Sequence, residues 1–482
     1  MPLRSDALHA LDDGLSHGNG AGLQLPQAIL PPEIRLMVLE ELERLVEGRS
    51  RLSHFPAVSA EWRAFFQPRI FETLSIRHPG PDVTQLDANV RGDRTRLVKR
   101  ISLHVTTGEY DARHDFDRPE SGSSQGANDK MLQEALHELF RVLSKWGYAE
   151  DAHGISLDIS VSSRSDAEHQ LNHRNDRPHL SRSRVHSQDS ERCLLGSLFG
   201  PGLARPPLPR VPIIKRLSMS NQNYRSFSAE SLPRILPSLC CLETVNYAPG
   251  RSIDAAGRIA RSQANMSLFQ CVENSTTVKS VHLSESRSEM YVKLYSQSPY
   301  SKNLVLASVK ASYGLRTLAI CHAIDAEEFF QSHEDANRIP SAQCATVGSW
   351  PVLERLVLTT ETGDLVAGAS HVDSVLLMAA TAALQMPSLK TMEIWASRID
   401  HHFVFRYYAG AYGPTVCVCA TWPVKLGAAV LDAWQQAAGG HAQQKQRQLR
   451  HKVASLDPGP MEKRSMDYFC HKIRPKRIMR DW

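Results

Sequence analysis

Gly14-Leu15-Ser16-His17-Gly18 has the Gly-x-Ser-x-Gly spacing that can expose a nucleophilic serine, but that motif works only on a strained strand-to-helix turn. No strand pattern precedes it, so it reads as part of a flexible leader. Gly18-Asn19-Gly20-Ala21-Gly22 misses the spacing that cradles a dinucleotide, and no Walker sequence exists. His137-Glu138-Leu139-Phe140-Arg141 opens like a zinc-protease helix, then puts Arg where the second His must ligate. His169 and His173 share a helical spacing and Cys417 and Cys419 a strand spacing, yet neither has a second pair at metal distance. Cys240-Cys241 read as small buried apolar residues. These readings leave no acid, base, nucleophile or metal set, so neither an enzyme nor a cofactor is expected. In the tail, Lys472-Ile473-Arg474-Pro475-Lys476-Arg477-Ile478-Met479-Arg480 fits a nuclear-import signal, a nucleic-acid patch, a solvated end or a last packed element. Nucleic acid is not the expected partner.

If the side chains do no chemistry, the elements that carry them must present a surface. The chain has 482 residues, 42% of them hydrophobic and 22% charged, which suits a globular protein and excludes a fibrous or wholly disordered one. Nine cysteines over that length exclude a disulfide miniprotein. Net charge is +5, but residues 445–482 hold 11 Lys/Arg against 4 Asp/Glu, leaving the rest at 45 minus 47, or −2. Asp6, Asp12 and Asp13 interrupt any secretory signal, and the longest uncharged apolar run, Ser374 to Leu389, has 16 residues, short of the ~20 needed to span a bilayer. The expected setting is cytoplasmic and/or nuclear, with no membrane partner.

Residues 1–22 carry no hydrophobic period and are expected to be a flexible leader. From Leu25, a proline-rich start leads into Leu30, Ile34, Met37, Val38, Leu42 and Leu45 at helical spacing; Leu52, Phe55, Val58, Trp62, Phe65 and Phe66 then share a second helical face. Residues 25–76 thus predict a small helical unit. Beyond it one pattern recurs: apolar, charged, Arg/Ser/Thr, apolar, any, apolar. It begins at Val98, Ile214, Leu242, Val278, Leu315, Leu353 and Leu389, at separations of 116, 28, 36, 37, 38 and 36 residues. Each copy ends as an alternating strand and most follow a helical stretch, such as Asp254 to Val272 or His371 to Met386. The long gap holds a helix over Asn128 to Gly147 and a further strand over Gly154 to Ile159.

A helix-turn-strand unit cannot bury its apolar face alone. Neighbours must stack, which predicts an α/β fold: a leucine-rich-repeat-like solenoid over residues 95–440. Polar insertions at about 106–126 and 162–192 are too poor in apolar residues to order themselves. Phe403 to Phe405 and Thr415 to Cys419 predict closing strands, Pro423 to Ala438 a closing helix, and 441–482 a basic extension.

The first block resembles an F-box, carried by Leu30, Pro31, Glu33 and Ile34, then Leu52, Val58 and Trp62; Pro56 departs from the pattern. The repeats and the ending, with Thr421-Trp422 and Leu431-Asp432-Ala433-Trp434, resemble fungal F-box-like proteins with a C-terminal domain of unknown function. The resemblance implies a non-catalytic substrate receptor of an SCF-type ubiquitin ligase. Its F-box would dock on a Skp-family adaptor, and through it a cullin, while the repeats hold an unknown protein client. It divides Leu30, Pro31, Ile34, Leu39, Leu42, Val58 and Trp62 between the adaptor surface and the unit's own core. Two rivals stay open: a protein-interaction scaffold whose F-box is degenerate, and an enzyme of unrecognised type.

Overall fold

The computed structural model describes residues 30–46, 49–109, 122–147, 154–165, 197–198, 207–219, 226–249, 255–285, 301–338, 348–360, 369–398, 401–410, 413–440 and 448–455. Three short helices lead: α1 (Pro32–Leu45), a 3-10 helix (Arg49–Ala57) and α2 (Ala60–Phe71). Strand β1 (Thr73–His78) follows at once, then α3 (Asp82–Asn89), α4 (Arg94–Leu97), β2 (Arg100–Thr107), α5 (Gly122–Leu143), β3 (Ile155–Ser163) and β4 (Ser197–Leu198). Next come β5 (Ile214–Met219), β6 (Ser226–Phe227), α6 (Leu232–Ile235), β7 (Thr244–Tyr247), α7 (Ala255–Glu273), β8 (Ser280–Ser284), α8 (Lys302–Ser312) and β9 (Thr317–Cys321). The chain continues through α9 (Ala326–Arg338), β10 (Arg355–Thr359), α10 (Ala369–Ala383), β11 (Thr391–Arg398), β12 (His401–Gly410), β13 (Gly413–Ala420), α11 (Ala428–Gly440) and β14 (Arg450–Ser455).

The result is a mixed α/β fold built on one open sheet of twelve strands in chain order, with β4 and β6 pairing separately. The strands run parallel from β1 to β11; β12 is antiparallel to both neighbours, and β14 is parallel to β13. The seven motif copies fall in lateral register. Their fourth residues, Ile101, Leu217, Val245, Val281, Leu318, Leu356 and Met392, sit side by side across the sheet with no exposed surface. The first and sixth positions are buried too, so each strand turns one apolar face inward. That face packs on the helices, which touch one another in chain order from α7 to α11.

The second motif position joins neighbours through the backbone. The Glu72 carbonyl accepts the amides of Lys99 and Arg100; those of Glu243, Lys279, Arg316 and Glu354 each accept two amides from the next strand's start. Opposite charges meet at the same level: Lys99 with Glu72 at 3.1 Å, Lys215 and Lys279 with Glu243 at 3.6 and 3.4 Å, and Lys390 with Glu354 at 2.7 Å. These pairs are largely exposed and add little energy individually. Gly154 enters β3 with φ 65°, and a side chain there would strike the Lys215 stem.

Several expectations need correction. The predicted helical face from Leu52 to Phe66 is broken at Val58-Ser59: the Ser59 hydroxyl accepts the Trp62 amide at 3.2 Å and starts α2 afresh. Pro56 lies inside the 3-10 helix. Phe71-Glu72-Thr73-Leu74-Ser75-Ile76 is an eighth motif copy, so the sheet begins inside the 25–76 unit, ahead of residue 95. It also ends beyond 440, since β14 lies in the 441–482 extension. Within the 106–126 insertion, Thr106 and Thr107 finish β2 and Gly122 begins α5, because the polar residues there occupy a strand end and a helix start. Cys240 and Cys241 are half-buried, not buried. The leader, Ser181–Ser190, most of the 162–192 insertion, His169, His173 and the Lys472–Arg480 cluster lie outside the described residues.

Between α8, α9 and α10 the core holds a polar network. The His333 ring lies 3.9 Å from that of Trp350, and its Nε2 donates to Gln385 Oε1 at 3.0 Å. Nδ1 then accepts the Tyr313 hydroxyl at 3.0 Å, which fixes the neutral tautomer. Burial pushes the His333 pKa below its ordinary value. The unfolded chain therefore takes a proton that the native one refuses, and stability held above about pH 6.5 falls as pH drops below it. Urea midpoints should decline on acidification through that range, and His333→Gln should flatten the decline; an unchanged slope would remove His333 as its source. Leu318→Ala should cost about 2–5 kcal/mol in urea unfolding, since it empties a fully buried site. Gly154→Ala should cost ~1–2 kcal/mol in the same assay from backbone strain alone.

Candidate functional site

Helix α1 is apolar on two faces. Leu39 is buried, and Leu42 and Val46 pack with it against a small core of Leu52, Phe65 and Phe66, joined by Phe55, Trp62 and Ile70. Arg35 pairs with Glu61 at 3.2 Å and Arg69 with Glu43 at 2.6 Å, fastening α1 to α2; the Arg69 guanidinium also lies 3.6 Å from the Phe65 ring centroid. The second face faces solvent. Leu30, Ile34, Met37, Val38 and Leu45 follow helical spacing and are 42–69% exposed; Val58, in the turn before α2, is 55% exposed. The structure thus divides the seven predicted adaptor-binding residues: Leu30, Pro31, Ile34 and Val58 lie at the surface, while Leu39, Leu42 and Trp62 belong to the unit's core. Sequence spacing could not separate them, because both faces repeat with the same period.

A second surface is the outer face of the sheet, built from alternate strand positions. One row runs from Ser75 through Asp158 and Glu393 to Lys452. The adjacent row, the third motif position, runs from Thr73 through Arg100, Arg216 and Arg355 to Arg450. Asp158 lies 3.5 Å from Arg100, and burial pushes its carboxyl up against that pull. Glu393 is nearly buried, 3.1 Å from Arg406 and 3.7 Å from Arg355, and accepts the Trp395 indole N–H at 3.0 Å. Sequence reading missed Glu393, which occupies the unrestricted fifth position of its motif copy.

Cys417 and Cys419 share this outer face, and burial pushes both thiols up, so they stay protonated and are poor ligands or nucleophiles. No cluster of three or more metal-binding side chains occurs among the described residues. His104 offers the nearest approach to a nucleophile and base. Its Nε2 lies 3.0 Å from Ser162 Oγ and its Nδ1 2.9 Å from Ser160 Oγ, while the Ser160 hydroxyl donates to the Leu103 carbonyl. Ser160 thus accepts from Nδ1–H, and Ser162 donates to Nε2. Burial and then the nearby Arg77 charge lower the His104 pKa, disfavouring the imidazolium that serine activation must form. The contact is better suited to clasping β2 to β3.

Polar residues are also buried at the C-terminal ends of the parallel strands, the edge where open α/β sheets commonly bind ligands. There Glu285 pairs with Arg261 at 3.0 Å and accepts Asn265 Nδ2 at 2.7 Å; burial raises its carboxyl pKa despite the arginine. Asp325 accepts the Glu327 amide at 2.7 Å and the Thr360 hydroxyl at 3.1 Å. These contacts hold helix starts and strand ends in place. Among the described residues, the arrangement positions loops and brings no reactive groups together.

No helix among the described residues is long and apolar enough to cross a membrane. No curated protein matches the chain. Residues 259–470, from within α7 past β14 and including the antiparallel strands and α11, match the model of DUF6546, a family of unknown function.

Proposed function

We propose that this chain is a non-catalytic substrate receptor of an SCF-type ubiquitin ligase. The N-terminal helical unit would serve as the F-box and dock on a Skp-family adaptor, and through it a cullin. The sheet, read as a leucine-rich-repeat-like solenoid, would hold a protein client. Such a receptor works by proximity: holding a client lysine beside an activated thioester raises its effective concentration, so no catalytic side chain is needed. The observation that carries this reading is the second apolar face of α1. A helix that has already packed Leu39 and Leu42 has no internal use for Leu30, Ile34, Met37, Val38 and Leu45, and exposed apolar stripes of this kind mark protein interfaces. One observation favours the scaffold alternative, in which the F-box is degenerate and ubiquitin plays no part: Pro56 interrupts the second helical segment, which is a 3-10 turn instead of a regular helix.

The two readings part in a pull-down with purified Skp-family adaptor. The native chain should bind. Ile34→Glu and Val58→Asp should each weaken binding roughly tenfold or more with an unchanged circular dichroism spectrum, because both residues lie outside the core. Trp62→Ala should lose binding and helical signal together. A native chain that fails to bind at micromolar concentration, or surface variants that bind normally, would leave only the scaffold.

A further inference from the structure

The third motif position of eight strands lies in a row that register continues across all twelve, and the composition of that row is narrow. Every member is an arginine or carries a hydroxyl: Arg100, Arg216, Arg355 and Arg450 stand among serines, threonines and Tyr408. No carboxylate enters it, although the second position holds Glu72, Glu243 and Glu354 and the fifth holds Asp158 and Glu393. Threonine alone suits strands, but strand preference does not explain alternation with arginine in a row that excludes acids. Such a stripe of hydrogen-bond donors and fixed cations is complementary to carboxylates. The four arginines are exposed; Arg100 and Arg355 also meet Asp158 and Glu393 of the adjacent row at 3.5 and 3.7 Å, and Arg216 has no ion-pair partner among the described residues.

We infer that this row binds an extended acidic segment, rich in Asp and Glu, of a partner protein. The inference rests on the proposed receptor role only in making that partner the client. The geometry sets a spacing. Neighbouring strands lie ~4.8 Å apart, so Arg100 to Arg216 spans roughly 10 Å, and Arg216 to Arg355 and Arg355 to Arg450 roughly 19 Å each. At ~3.3 Å per residue an extended peptide would meet them with acids about three, six and six residues apart. A peptide fits better than a nucleic acid. Asp158 and Glu393 in the adjacent row would repel an unbroken phosphate chain, whereas a peptide can set neutral residues there; among the row's members only Tyr408 offers a ring for base stacking.

The test uses the full chain and a fluorescein-labelled peptide of about 16 residues, Ser/Gly with Glu at positions 1, 4, 10 and 16, read by anisotropy at low salt. A Gln-substituted peptide and a single-stranded DNA of equal length are run beside it. The acidic peptide should bind, the Gln peptide should not, and Arg216→Glu should weaken binding roughly tenfold while leaving adaptor capture unchanged. Equal binding of the Gln peptide, an unaffected Arg216→Glu, no binding at all, or stronger binding of the DNA would each overturn the assignment. If the peptide binds by these criteria while the adaptor is not captured, the acidic-segment site stands and the ligase role falls. If the adaptor is captured and the peptide is not, the reverse holds.

Discussion

One constraint recurs along the sheet: at five strand starts, two backbone amides go to the carbonyl of the residue at the second motif position next door. Glu72, Glu243, Lys279, Arg316 and Glu354 all accept such a pair. Because side chains alternate along a strand, a slip of one residue would turn Leu217 or Leu318 outward and Ser218 or Ala319 into the core. The buried fourth-position row makes that slip costly, and the shared carbonyl fixes where alternation begins. Everything on the outer face inherits its order from this register, including the arginine and hydroxyl row, whose members come from segments hundreds of residues apart.

The same register explains why much of the fold was legible in the sequence. Seven copies announced themselves because a buried position recurs wherever a strand must meet the helices, and helices such as α7 and α10 showed the matching period. The missed pieces had physical reasons. Phe71 ends a helix and opens a strand motif at once, so the eighth copy was hidden inside an apparent helical run. Strand β14 has exposed residues at Arg450, His451, Lys452 and Val453, and a strand with no buried alternation gives no period-two signal. The candidate sites were less legible. Ile34 and Leu39 are both apolar residues of one helix, and only the packing of Phe65 and Phe66 shows which faces inward. Glu393 sits where the motif permits anything, and its partners Arg355 and Arg406 arrive from neighbouring strands.

The helical unit and the sheet share material directly. Helix α2 ends at Phe71, which is buried in the large core, while Ile70 packs against both cores. Only Glu72 separates that helix from β1, and its carbonyl is already engaged by β2. The short connection and the shared packing give the exposed stripe of α1 a defined position relative to the outer face. Under the proposed receptor role, in which two partners are held at a set distance, rigidity at this junction would serve as catalytic geometry serves an enzyme.

An open sheet has two rims, unpaired here among the described residues, and each is a template on which another chain could add a strand. At the far rim, β14 presents Arg450, His451 and Lys452 to solvent. A second molecule bringing the same rim would meet like charge at Arg450 and Lys452, and Val453 is the one exposed large apolar side chain described on this strand. The sheet is thus closed chemically where it is not closed by geometry. The basic residues of β14 disfavour edge-to-edge pairing of two copies along that rim.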